Sequence, residues 1–161
     1  MDPNLELRRK WTFRAHGRQM VFLKKSKEST IHVWSKALIW ALYLPEYPSL
    51  SVEPRMNLRY KPDLIQLDDQ GKPAFWGEAG QVSQRKIRWL VQKFRTTHIV
   101  FAKWHSRLLP LQNMIAKVSE GITRAAPIDL LGLPADGLED FIDANGRIKI
   151  RFEDATHIRI G

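Results

Sequence analysis

KPDLIQLDDQGKPAFWGEAGQ, residues 61–81, sets two short apolar runs, Lys61–Asp68 and Pro73–Gly80, on either side of Asp69-Gln70-Gly71-Lys72. A polar, glycine-containing stretch between two such runs predicts a β-hairpin. If Gln70-Gly71 is a two-residue loop, or Asp69–Lys72 a four-residue one, the register is the same and Asp63 stands directly across from Glu78. Directly opposed side chains share a face, with Cβ atoms roughly 4.5–5.5 Å apart. Ile65 and Trp76 fall on that face too, so two carboxylates would meet at the edge of an apolar surface. A three- or five-residue loop would instead shift the register by one and turn a carboxylate to solvent.

Working outward, the pattern is α/β. Trp11–Arg14 and Gln19–Leu23 read as short strands parted by Gly17. Ser26 precedes a helical pattern from Glu28 to Leu44, in which Trp34, Ala37, Leu38, Ala41, Leu42 and Leu44 form an apolar stripe. Pro45 and Pro48 end it, and 45–56 reads as a loop. After the hairpin come a helix over Ser83–Arg95, a strand over Thr97–Ala102 and a helix over Arg107–Gly121. A strand at Ile128–Leu131, a short helix near Leu138–Ala144 and a closing hairpin of Arg147–Glu153 with Thr156–Ile160 follow. A chain of 161 residues with no linker or repeat is read as one domain over 1–161.

Composition narrows the chemistry. The chain has 43% hydrophobic and 27% charged residues, as globular proteins do. It has no cysteine, which excludes disulfides, Cys-ligated zinc and thiol nucleophiles. No apolar run reaches the length of a membrane span and no secretory leader is recognisable, so a cytoplasmic, non-membrane protein is expected. Lys and Arg number 26 against 17 Asp and Glu, a net charge of +9. Such a field attracts polyanions: nucleic acid first, then acidic lipid or an acidic protein partner. The six Trp can stack on bases, but most are read as core. P-loop, dinucleotide-binding and G-x-S-x-G patterns are all missing, and the five His show no H-x-x-x-H pair.

Two crowded carboxylates repel, so either one takes a proton or a cation lies between them. Mg²⁺ or Mn²⁺ suits oxygen ligands, and such an ion assists phosphate-ester hydrolysis. Glu28 is a candidate third ligand. The helix dipole, with Ser26 as N-cap, is the commoner explanation of an acid there. Gln81 lies near the pair, and Arg85, Lys86 and Arg88 form a basic run. That run serves a phosphate or nucleic acid, or is a solvated face. A glycosidase also uses two carboxylates, but a positive field suits phosphates better.

Pro62-Asp63 followed fifteen residues later by Glu78-Ala79-Gly80-Gln81 resembles the PD-(D/E)XK nuclease superfamily. The resemblance is closer to its YaeQ branch, through Ser26-Lys27-Glu28-Ser29, Ile39-Trp40-Ala41-Leu42, Pro62-Asp63-Leu64 and Arg85-Lys86. It spans roughly residues 10–105 and implies a restriction-endonuclease-like αβββαβ core, with a mixed central sheet flanked by helices. It further implies Mg²⁺ or Mn²⁺ on Glu28, Asp63 and Glu78; with that ion in place, Asp63, Glu78, Gln81 and Lys86 are expected in catalysis and Arg85, Lys86 and Arg88 on nucleic acid. The superfamily's lysine position is Gly80 here, as in YaeQ-like proteins. Lys86 or Arg85 is the candidate replacement. Without one, the fold would be a catalytically silent binding or regulatory module.

Overall fold

The computed structural model describes the chain except residues 1, 2, 53, 55, 105, 106, 135 and 136, so His105 lies outside the described residues. After a five-residue helix α1 (Pro3–Leu7), β1 (Lys10–Ala15) and β2 (Arg18–Leu23) pair antiparallel as a separate two-stranded ribbon. Helix α2 (Thr30–Tyr43) comes next. The large sheet then runs β3 (Ser51–Val52), β4 (Leu64–Leu67), β5 (Pro73–Ala79), β6 (His98–Trp104), β7 (Ile128–Leu133) and β8 (Thr156–Ile160), in that spatial order. β5, β6 and β7 are parallel, while β3, β4 and β8 pair antiparallel. Parallel neighbours need crossovers, which α3 (Gln84–Lys93) and α4 (Leu109–Val118) supply.

Period-two alternation divides the core between the sheet's faces. In β6, Val100 and Ala102 join the core built with α2, whereas Ile99 and Phe101 join that built with α3 and α4. The two crossover helices also pack on each other. α2 is buried on nearly every side, because the β1–β2 ribbon covers the flank that the sheet does not. Its apolar residues therefore form more than the expected stripe. Trp11, Trp34, Trp40 and Trp76 are core, as read from sequence, while Trp89 and Trp104 are half-buried.

Three expectations are corrected. Residues 45–56 are not all loop, since Ser51–Val52 adds the edge strand β3. The span near Leu138–Ala144 holds only a 3₁₀ turn, Leu138–Phe141. The closing hairpin does not form: β8 pairs with β7, and Arg147–Ile148 instead bridges to Arg14 and Ile142. Ile148 is buried in the α2-side core, which draws that segment away from β8.

A buried polar knot ties the sheet's far edge to α2. Asp129 of β7, fully buried, accepts from Tyr43 Oη (2.7 Å), His98 Nε2 (2.8 Å) and Arg159 Nε (2.8 Å). Burial alone would raise its pKa, but these three donors hold it well below the usual carboxylate range.

Candidate functional site

The hairpin register is as expected, by a different route. Leu64 pairs with Gly77, Ile65 with Trp76 and Gln66 with Phe75, and Asp63 N donates to Gly77 O (3.2 Å). The loop, however, has three residues, closed by Asp68 N to Lys72 O at 2.7 Å. Asp68 Oδ1 fastens it by accepting from the Gln70 and Lys72 amides, both at 2.9 Å. Such a loop puts the ladder one residue out of step, and Leu67 pairs with Pro73. A bulge between Gln66 and Leu67, with Ala74 as the extra residue, restores it. Asp63 and Glu78 thus still meet at the end of β4 and β5.

Each acid is held by donors of this chain. Asp63 Oδ2 accepts from Ala79 N (2.9 Å) and lies 3.3 Å from His32 Nε2. Glu78, 4% exposed, accepts through Oε1 from Trp76 Nε1 (2.8 Å) and lies 2.5 Å from Lys86 Nζ. Glu28 precedes α2, whose N-cap is Ser29 rather than Ser26. Glu28 Oε2 lies 2.5 Å from His32 Nδ1 and accepts from Lys36 Nζ, a lysine only 1% exposed. His32 therefore bridges Glu28 to Asp63.

The electrostatics follow from this wiring. Burial would lower His32, but the carboxylates on its two nitrogens prevail and raise it to about 9. Burial would raise Glu28, but His32, Lys36 and the Lys25 amide bring it down to about 2. Asp63 is likewise lowered against its burial, chiefly by His32. Glu78 goes the other way. Burial first, and the Asp63 charge second, push it up to about 7, although Lys86 and Trp76 oppose the rise. The two acids thus differ in kind: Asp63 is held ionised, while Glu78 is pushed toward its protonated form.

Gly80 occupies the position two residues after the glutamate. Its φ is +86°, and a Cβ there would stand 3.1 Å from Trp104 Cη2. A lysine at this position would need both a strained backbone and a displaced Trp104. Lys86 brings the cation instead, reaching from the first turn of α3 to Glu78 and to Lys61 O (2.8 Å). Gln81 lines a small cavity with Gly80, Lys103 and Trp104. Arg85 and Arg88 are exposed on α3 and make no described contact with the three acids.

No protein-family model and no curated protein matches the sequence. Among solved structures, the YaeQ protein from Xanthomonas axonopodis pv. citri aligns with a TM-score of 0.60 at 15% identity, over 93% of this chain and 89% of that one. The YaeQ protein from Pseudomonas syringae aligns at 0.59 and 16%, over 83% and 71%. The fold is that of the YaeQ proteins. Within this YaeQ fold, α2, β4, β5 and α3 bring Glu28, Asp63, Glu78 and Lys86 to one end of the sheet.

His32 and Lys36 were not expected in the site. The signal was their spacing: they follow Glu28 by one and two helical turns on a single side of α2. Among the described residues, no group of three or more His, Asp or Glu is arranged to hold a metal ion. The oxygen chemistry divides the acids. Glu28 is committed to His32 and Lys36, whereas Asp63 Oδ1 and Glu78 Oε2 take no hydrogen bond from the described residues. Asp63 and Glu78 therefore fit a hard divalent ion as donors. Glu28 fits a positioning role, through His32.

Proposed function

We propose that the chain hydrolyses phosphodiesters of nucleic acid at Asp63 and Glu78, with Mg²⁺ or Mn²⁺ held by those two carboxylates. The observation that carries this reading is the buried Glu78, set across from Asp63 with Lys86 Nζ 2.5 Å from its Oε1. His32 and Lys86 each take one oxygen of the pair, and Asp63 Oδ1 and Glu78 Oε2, which accept from none of the described residues, are left for a positive ion. The order α2–β3–β4–β5–α3–β6 supports the reading, because it is the αβββαβ succession of PD-(D/E)XK nucleases. When bound, the ion polarises the phosphodiester and lowers the pKa of its water. Asp63 supplies a fixed negative charge, oriented by Ala79 N–H and His32. Glu78 gives up its proton to become a ligand. Lys86 then offsets the charge of a phosphate, and Gln81, at the rim, orients the attacking water. Cleavage of single- and double-stranded DNA with Mg²⁺ or Mn²⁺ tests this. Wild type should cut and Asp63→Ala should not; equal cleavage by both would refute the assignment.

A second reading keeps nucleic-acid binding without turnover. It is favoured by the internal neutralisation of the acids: His32 and Lys36 on Glu28, His32 on Asp63, Lys86 on Glu78. It predicts DNA binding that weakens steeply with salt and no products with any divalent ion.

A further inference from the structure

The β1–β2 ribbon and the segment 139–150 line two adjoining cavities, neither of which is lined by Glu28, Asp63 or Glu78. The larger, about 780 Å³, is lined by Arg14, Arg18, Arg147 and Lys149, with Ala41 and Ile148 among its apolar walls and no carboxylate. The smaller, about 650 Å³, is lined by Trp11 and Trp34, with Arg8 at its border. Arg14 and Arg147 line both. Ala41 lies nine residues along α2 from His32, about 14 Å at helical rise.

The backbone holds two like charges together here. Arg14 and Arg147 are partners in a β-bridge, fixed by Arg14 N to Gly146 O and Ile148 N to Arg14 O, both 2.8 Å. Like charges directly opposed weaken a strand pair. The approach is nonetheless built in: Gly146 has φ +78°, and a Cβ there would stand 2.2 Å from Thr12 O. Arg14 Nη1 donates to Asn145 O (2.6 Å) and Arg18 Nη1 to Pro48 O, which leaves further N–H groups on each guanidinium. In the smaller cavity, Trp11 and Trp34 are 4% and 5% exposed, and neither indole Nε1 has an acceptor among the described residues. Glu139 and Asp143 border that cavity, but Asp143 Oδ1 accepts from the Asn145 and Arg147 amides. The larger cavity is thus rich in donors and positive charge and holds no carboxylate, whereas the smaller sets Glu139 and Asp143 beside Arg8, Arg14 and Arg147.

We propose that the larger cavity binds the phosphate backbone of a single-stranded nucleic acid. Phosphate oxygens supply acceptors for the remaining N–H groups of Arg14 and Arg18 and a negative charge between Arg14 and Arg147. A cavity of this volume admits about one or two nucleotides of a single chain, and no duplex. No Trp, Tyr or Phe among the described residues lines it for base stacking, so the binding is to the backbone and indifferent to sequence. The groove, rather than the exposed α3 face of Arg85 and Arg88, carries the affinity, whether or not the acidic site is hydrolytic.

Fluorescence anisotropy with a short 5′-fluorescein oligothymidylate, in EDTA, tests the groove without any cleavage. Arg14→Gln/Arg147→Gln should weaken binding roughly tenfold or more at low salt and reduce the salt slope by about 1.4, for two phosphate contacts. Arg18→Gln/Lys149→Gln should do the same while leaving the bridge intact, so poor folding of the first variant does not remove the test. Arg85→Gln/Arg88→Gln should stay within about twofold of wild type, since its charges lie elsewhere. The proposal is overturned if wild type fails to bind, if the cleft variants bind like wild type, or if the α3 variant loses as much as they do. Tighter binding of a duplex of the same length would overturn it as well.

Discussion

Lys86 Nζ lies 2.5 Å from Glu78 Oε1, reaching back from the first turn of α3 across the end of β5. Ser83 caps that turn by accepting from Lys86 N (3.2 Å), so the lysine's backbone is fixed where its side chain can return to the sheet. Lys86 is one of the groups opposing the rise of Glu78. Lys86→Ala should therefore raise Glu78 above its value of about 7, and Lys86→Arg should restore it in part. Carboxyl NMR titration of Glu78 reads this directly; an unchanged or lower pKa in Lys86→Ala would contradict it.

His32 links pH to stability. Its pKa rises from 6.5 to about 9 on folding, so the stabilisation is fully present below pH 6.5 and is lost as pH climbs through 9. The ring is partly exposed, which discounts the full shift to roughly 1–2 kcal/mol, or a fall in Tm of about 2–6 °C. Thermal melts of metal-free protein between these pH values should show the fall, and His32→Gln should flatten it.

Gly80→Lys restores the PD-(D/E)XK lysine in sequence but not in space. The φ of +86° and the Trp104 ring oppose any side chain at 80. The variant should lose about 1–3 kcal/mol in urea unfolding and gain no cleavage. Adding Trp104→Ala removes the contact but not the backbone strain.

Asp129→Asn removes the charge on which His98 and Arg159 converge while leaving the side chain's shape. Breaking a buried ionic knot on one side costs about 3–5 kcal/mol. Urea denaturation should show a lower midpoint, with DNA binding in the folded range unchanged.

Much of the acidic site was legible in the sequence because strand pairing has a period of two. Asp63 and Glu78 were set opposite each other from the turn alone. The loop has three residues rather than two or four, and the bulge at Ala74 undoes the slip, so two local departures cancel. α2 was legible from its apolar spacing and the two prolines beyond it. The neighbours of the acids were not: a pair of acids does not show that His32, Lys36 and Lys86 lie against it and Glu28. Those contacts depend on how α2 and α3 sit over the sheet. β8 was read with its observed bounds, Thr156–Ile160, but given the wrong partner, because adjacent apolar runs suggest a hairpin while Ile148 is drawn into the core beside β1.

Calorimetric titration of Mn²⁺ into wild type and Asp63→Asn/Glu78→Gln at pH 7 bears most directly on the acidic pair as a metal seat. Wild type should bind one ion and release part of a proton from Glu78, seen as a heat that varies with the buffer's ionisation enthalpy; the double variant should bind none. Equal binding by both proteins, or none by either, would contradict it.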